Sequence, residues 1–362
     1  MLILGRRLAR PGERPAVLVH GLPYLPWMWA AAGFAALVAA AAVGVLVGPV
    51  HIGLGAVVHA LVAPLPWFHG GVDAGQASIL WSLRIPRVVL GAIVGGMLAM
   101  AGAAYQGVFR NPLADPYLLG AAAGANLGAT LAIAFAPGST LIGVNVVPLA
   151  GFAGAGLAVA GAYALGQTVT GLRNTTGLIL AGVAIAAFFN AIQTYIQQAQ
   201  TSNIRQVYSW ILGRLVTAGW DGVVLVLPYV VVSVAVIVLH RRLLDALSVG
   251  DEEVTSLGIS ARRVRLIVVV AATLGTAAVV AIAGTIAFVG IIIPHTVRLL
   301  VGRSYRVVIP LSLLFGAAFL VLADTAARTL AAPAELPIGV ITAVVGAPFF
   351  IVVMRSTRAA AL

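Results

Sequence analysis

Ten apolar runs, separated by short connectors, govern what this chain is able to fold into. They lie near 29–47, 88–109, 120–135, 146–169, 177–196, 223–239, 266–284, 286–300, 307–322 and 338–353. A helix of about 20 apolar residues crosses the hydrocarbon of a bilayer, where every backbone N–H and C=O must find its partner within the protein. The pattern predicts an all-α polytopic membrane protein with about ten transmembrane helices. Composition agrees, because 61% of the residues are hydrophobic and 9% are charged, where a soluble domain carries about 25% charge. The expected organisation is a cytoplasmic N-terminal tail (1–28), a single transmembrane domain (29–354) and a cytoplasmic C-terminal tail (355–362).

All 21 basic residues are arginine. A phosphate-binding loop of the GxxxxGK[ST] type needs a lysine, so ATP hydrolysis through such a loop belongs to a partner if it occurs at all. With no cysteine there is no disulfide, thiolate nucleophile or Cys-type metal site. The net charge of +11 is spread over connectors rather than one soluble face, which argues against nucleic acid as a partner. With the N-terminus in the cytoplasm, alternation through ten spans places 16 of the 21 arginines inside, as the positive-inside rule requires. Arg84, Arg87, Arg205, Arg214 and Arg328 fall outside. Trp27 and Trp29 begin the first span, and Trp67, Trp81, Trp210 and Trp220 border outer connectors, as an aromatic belt would. His51, His59 and His69 are too widely spaced to share a helical turn and read as non-ligands, while His295 after Pro294 reads as structural, at a kink in the eighth span.

In the fifth span Asn190, Gln193, Thr194 and Gln197 fall at i, i+3, i+4 and i+7, on one helical face. Amides are costly in hydrocarbon, so the stripe faces either a water-filled path or another polar helix. The longest inward connector, 241–265, reads as two short helices: Ser248 and Asp251 have capping-box spacing, Asp251, Glu252 and Glu253 fill a first turn, and Gly258 suits a helix end. Leu247, Val254 and Leu257 form its apolar side, and three successive acids favour a protein partner over anionic lipid. Arg84 and Arg87, in LRIPR, with Arg328 after Asp324, are outer guanidiniums suited either to lipid phosphates or to the carboxylates of an external partner. Small residues at spacing four, such as Gly91/Gly95, Ala92/Gly96, Ala99/Ala103, Gly151/Ala155 and Gly154/Ala158, permit close helix contact within the chain or between copies. All ten acids map to connectors or span ends, which disfavours an ion-coupled secondary transporter, the alternative of a different class. No nucleophile–base arrangement for catalysis is apparent.

At these residues the chain closely resembles the FecCD-type permeases of type II ABC importers, which move iron–siderophore complexes, haem and cobalamin. The resemblance runs from Leu83 to Met354 through LRIPR, YQGVFRNPLADPYLLGAAAGA, LILAGVAIA, WILGRL, LLDALSVGDEEVTSLGIS, GTIAFVGIIIPHTVRLLVG, LADTAAR and ELPIGVITAVVGAPFF. It implies a non-enzymatic permease of the cytoplasmic membrane of a prokaryote, forming a homodimer around a central path. Two ATP-binding subunits would bind inside, holding ATP and magnesium, and one extracytoplasmic substrate-binding protein outside; this chain itself would carry no cofactor or metal. The resemblance makes Leu247, Ser248, Gly250, Asp251, Glu252, Glu253, Leu257 and Gly258 the ATPase-coupling surface. It makes Arg84, Arg87 and Arg328 the docking residues, Asn111, Leu113, Thr175 and Thr176 the inner gate, and the amide stripe the path lining. The implied cargo is a metal chelate, ferric siderophore or haem, with cobalamin as the alternative. One departure stands out: where family members often have a small residue after WxxG, this chain has Arg214.

Overall fold

The structure, a computed structural model, describes residues 26–50, 52–62, 73–141, 143–170, 175–215 and 219–359. Each of the ten expected spans has a helix: α1 (Trp27–Leu46), α4 (Ile85–Phe109), α5 (Ala121–Phe135), α6 (Val146–Thr170), α7 (Thr175–Ala199), α9 (Asp221–Leu247), α11 (Ala261–Ala283), α12 (Val289–Val301), α13 (Tyr305–Thr329) and α14 (Ile338–Ala359). Between them lie the shorter α2 (Leu54–Val62), α3 (Ala74–Ile79), α8 (Ile204–Ile211) and α10 (Asp251–Ser256), and a small antiparallel pair, β1 (Thr140–Leu141) with β2 (Val144–Asn145). Among the described residues seven helices are long and apolar enough to cross a membrane by themselves. The apolar stretches of α5, α12 and α14 are shorter. His51, His69, the tail arginines before Trp27, and Arg173 lie outside the described residues.

The second span starts earlier than hydropathy suggests. α3, a single π-turn at Leu80–Arg84 and α4 run on as one helix over Ala74–Phe109, so LRIPR lies inside it rather than before it. Proline removes a helical N–H donor, and the wider turn immediately upstream, in which Ile85 N–H reaches the Leu80 carbonyl, absorbs the disruption at Pro86. Trp210 also departs from the expected belt, since it is buried and its ring packs near Gly151.

α5 and α12 are short because the segments leading into them travel through the bundle without helical structure. Residues 284–288 leave the α11 end, where Arg214 N–H bonds the Ala283 carbonyl (2.8 Å), and reach Gly290, which lies against Gly102 far along α4. Residues 110–120 turn back from the other end of α4 to the same level, placing Pro116 on Gly290. Side chains supply the missing backbone partners. Gln106 Nε2 donates to the Ala114 and Gly290 carbonyls (3.2 and 3.1 Å), and Tyr117 Oη donates to the Ile286 carbonyl (3.1 Å) while facing the Ile286 N–H (3.3 Å). Thr285 Oγ1 donates to Asn126 Oδ1 (2.7 Å). Irregular backbone is tolerated at membrane depth only with such satisfaction.

α4 is buried along nearly its whole length against α13, α11, α12 and α9. Lipid supplies no hydrophobic drive between helices, so their contact depends on close van der Waals approach over small residues. A Cβ on Gly95 would overlap the Gly316 carbonyl, one on Gly102 the Gly290 carbonyl, and one on Gly124 the Gly154 carbonyl. The small-residue spacing at Gly95 and Gly154 thus packs helices within one chain. Gly102→Ala is expected to destabilise the bundle by about 1–3 kcal/mol through overpacking. Gly156, with open space around it, gains up to about 1 kcal/mol of helix propensity as alanine. Thermal unfolding of the two variants in detergent should therefore fall on opposite sides of the parent; equal midpoints would contradict the contact assignment.

Candidate functional site

At one end of the bundle the 241–265 connector folds as the end of α9, α10 and the start of α11. Ser248 closes α9, its hydroxyl bonding the Asp245 carbonyl (2.6 Å), so it does not cap α10 as its spacing suggested. Gly250 precedes α10, with the Glu253 carboxylate folded back over it, and Gly258 ends it. The expected apolar side divides. Leu247 (0% exposed) and Val254 (1%) face the bundle, whereas Leu257 (72%) and Val249 (66%) stand out beside exposed Glu252 and Glu253. Leu257 is the C-cap of α10, past its last helical residue Ser256, so the chain has left the helical face on which Val254 packs.

Asp251 is clamped. Arg265 pairs with it through Nη1 and Nη2 (2.7 and 2.5 Å), and Arg110, at the left-handed residue that closes α4, adds a further ion pair while its Nε bonds the Leu247 carbonyl (2.6 Å). These guanidiniums hold the Asp251 carboxyl below the ordinary carboxylate range, Arg265 first. Nearby, Asp245 of α9 accepts from Ser304 Oγ (2.8 Å) and Tyr305 N–H (2.5 Å), an acid at the α13 N-terminus, and pairs with Arg306 (3.3 Å). α10 is therefore tied to α4 and α11, and the α9 end beside it to α13.

At the opposite end lie the three docking candidates, all engaged internally. Arg84 (5% exposed) bonds the Val45, Leu46 and Val50 carbonyls, satisfying the open C-terminal end of α1. Arg328 (4% exposed) pairs with Asp324 (3.1 Å) and bonds the Gly44 carbonyl (2.9 Å). Arg87 bridges Asp324, through Nε and Nη2 (2.9–3.1 Å), and Glu335, through Nη1 and Nη2 (3.0 Å each). Glu335 is the exposed member, with 41% of its side chain accessible.

The amide stripe of α7 is split by its packing. Gln193 is buried, Gln197 half-buried, and Asn190 and Thr194 are exposed, on a helix whose described contacts run to α5 and α6. Thr194 Oγ1 returns a bond to the Asn190 carbonyl (2.8 Å). Asn111 shapes the turn after α4, its Oδ1 accepting from Leu113 N–H (2.9 Å) beside an exposed Leu113 side chain. Thr175 and Thr176 open α7, and their side chains lie outside the described residues. Sequence reasoning passed over Gln106, Arg110, Tyr117, Asn126 and Arg265. A glutamine and an asparagine inside apolar runs were the available signal, since such groups are retained only with partners.

The FecCD transport family model matches residues 36–356. The chain is 42% identical over 303 residues to the cobalamin import system permease protein BtuC of Halobacterium salinarum, covering 84% of this chain and 79% of that one. It is 39% identical over 292 residues to the iron(3+)-hydroxamate import system permease protein FhuB of Bacillus subtilis, covering 80% and 75%. Among solved structures, one described as an inward-facing conformation of a transporter of metal-chelate type superposes with a TM-score of 0.79 at 27% identity, over 91% of this chain and 99% of that one.

A depressed carboxyl stabilises the folded form above the unfolded pKa of about 3.9 and loses that contribution as pH falls through the folded value. Hydrogen exchange over 251–257, taken relative to the intrinsic rate at each pH, should therefore stay slow at neutral pH and quicken only below about pH 3.9. Asp251→Asn is expected to quicken it at pH 7, and the charge exchange Asp251→Arg with Arg265→Asp to restore part of the protection. Unchanged exchange in Asp251→Asn would mean that the clamp does not hold α10.

Proposed function

The chain belongs to the FecCD transport family, and from that premise we propose that it is the permease subunit of an ATP-driven importer of a metal chelate. In this reading the chelate passes between two copies of the chain. The observation that carries it is the exposed Asn190 and Thr194 on a membrane helix. An amide facing hydrocarbon costs free energy, and a path shared by two copies gives that face water and polar cargo instead. The names of the relatives, an iron(3+)-hydroxamate and a cobalamin permease, support a ferric siderophore with cobalamin as the alternative; haem belongs to the same reading without a relative named for it.

ATP and magnesium belong to two partner subunits, because this chain has no lysine for a phosphate-binding loop. Their docking surface is the exposed crest of the connector, Val249, Glu252, Glu253 and Leu257, while Ser248, Gly250, Asp251 and Gly258 give α10 its ends and Leu247 roots it. Movement of that crest reaches α4 and α11 through Asp251, which lets ATP binding shift the balance between inward-open and outward-open bundles. This end faces the cytoplasm with both termini, Asn111, Leu113, Thr175 and Thr176 closing the path there. The Arg87 end then faces an extracytoplasmic binding protein. Arg84 and Arg328 brace that surface, and Arg87, whose partner Glu335 is exposed, is the guanidinium an incoming carboxylate reaches first.

Because the chain has no native cysteine, single thiols report on this directly. Asn190→Cys in proteoliposomes should react with a water-soluble maleimide and cross-link to its copy, whereas Leu239→Cys, exposed on α9, should do neither. Equal inertness of both thiols would refute a shared aqueous path. Separately, Glu252→Arg with Glu253→Arg is expected to abolish ATP-driven uptake while leaving the unfolding midpoint unchanged; normal uptake would remove the crest from the coupling surface.

A further inference from the structure

We infer that the cargo is an anionic chelate, one presenting carboxylate or catecholate oxygens, and that Arg205 and Arg214 select it at the outer mouth. This rests on the importer reading above and specifies its substrate class. α7 leads through a short turn at Thr201–Asn203 into α8, whose Val207 and Trp210 are buried while Arg205 and Tyr208 point outward. The turn after α8 is fixed from two sides. Ile338 N–H bonds the Gly213 carbonyl (3.1 Å), Gly339 N–H bonds the Leu212 carbonyl (3.0 Å), and Arg214 N–H bonds the Ala283 carbonyl (2.8 Å). Arg214 is thereby held where the α7–α8 unit, the start of α14 and the end of α11 meet.

Its side chain is exposed and, among the described residues, makes one hydrogen bond, to Ser209 Oγ (3.1 Å). Among the described residues no carboxylate comes within ion-pair distance of Arg205 or Arg214. The acids at this end are committed elsewhere: Asp324 and Glu335 to Arg87, and Asp73 to capping α3. Asp221, at the start of α9, is the remaining one. The stripe below the mouth holds only amides and a hydroxyl. On the importer reading, two copies would set four guanidiniums above this uncharged stripe. Low-dielectric walls focus such a field, raising the local concentration of anions, and a guanidinium fork fits a pair of carboxylate or catecholate oxygens. A neutral corrinoid or a cationic hydroxamate chelate gains nothing from either effect.

The test uses this chain with its ATP-binding partner in nanodiscs of zwitterionic lipid, and ferric citrate, cyanocobalamin and ferrioxamine B as probes. Ferric citrate should bind at least about tenfold more tightly than the other two, and Arg205→Gln with Arg214→Ser should erase that preference. Arg214→Lys, which keeps the charge, should retain most of it, and in ATP-driven uptake by proteoliposomes that also hold the substrate-binding protein, the double variant should raise KM for ferric citrate with kcat unchanged. Equal binding of all three probes, or an equal loss of all three in the double variant, overturns the inference, as does a variant that changes only retention of added anionic lipid. ATP-driven uptake of any chelate under those outcomes leaves the importer reading standing; uptake of none of the three removes that reading as well.

Discussion

Inside a bilayer no water completes an unfinished backbone hydrogen bond, and this bundle contains two irregular segments, 110–120 and 284–288, that must be satisfied at depth. They are satisfied by one another's neighbourhood. Gln106 from α4 holds the Ala114 carbonyl of the first and the Gly290 carbonyl just past the second, Tyr117 from the first holds the backbone of the second, and Thr285 reaches Asn126 beyond the first. That arrangement requires α4 and α12 to touch at backbone distance, which Gly102 and Gly290 allow. Loss of the close approach would separate Gln106 from the Gly290 carbonyl and strand polar groups in hydrocarbon, so packing and polar satisfaction stand or fall together.

The same central helix carries the charge clamps at both ends. Arg87 joins it to Asp324 of α13 and to Glu335, and Arg110 joins it to Asp251 at the start of α10. Buried or half-buried ion pairs of this kind add little net stability against an apolar replacement, but losing one partner leaves a costly unpaired charge. They therefore fix geometry more than they stabilise it. In the importer reading, one clamp lies under the binding-protein surface and the other under the ATPase surface. Either partner then acts on α4 through a defined contact, and a shift in the bundle's equilibrium needs only different affinity for its two states.

Much of this was legible in advance. Hydropathy located all ten helices, because apolar length is a local property, and Gly258 ended its helix as its position suggested. Boundaries failed where tertiary contacts overrode local signals: Pro86 and its flanking arginines looked like a connector, yet the π-turn carries the helix through them. Ser248 and Asp251 had capping-box spacing, but Asp251 was claimed by Arg265 and Arg110, 14 and 141 residues away. Arg84 and Arg328 read as outer cations; that they satisfy carbonyls at and just beyond the end of α1 depends on helix placement at separations of 34–39 and 284 residues, which no local pattern encodes. The amide stripe was visible as a stripe, and only its exposure on a helix packed by α5 and α6 shows that the chain alone does not cover it.

The central claim is that ATP, bound by partner chains, drives a chelate through this subunit. Proteoliposomes holding the chain with its ATP-binding and substrate-binding partners test it most directly, by accumulation of radiolabelled iron supplied as a chelate. The account predicts accumulation against a gradient when hydrolysable ATP is present on the cytoplasmic side, and none with a non-hydrolysable analogue or with an imposed proton or sodium gradient. Accumulation driven by an ion gradient in the absence of ATP would contradict it.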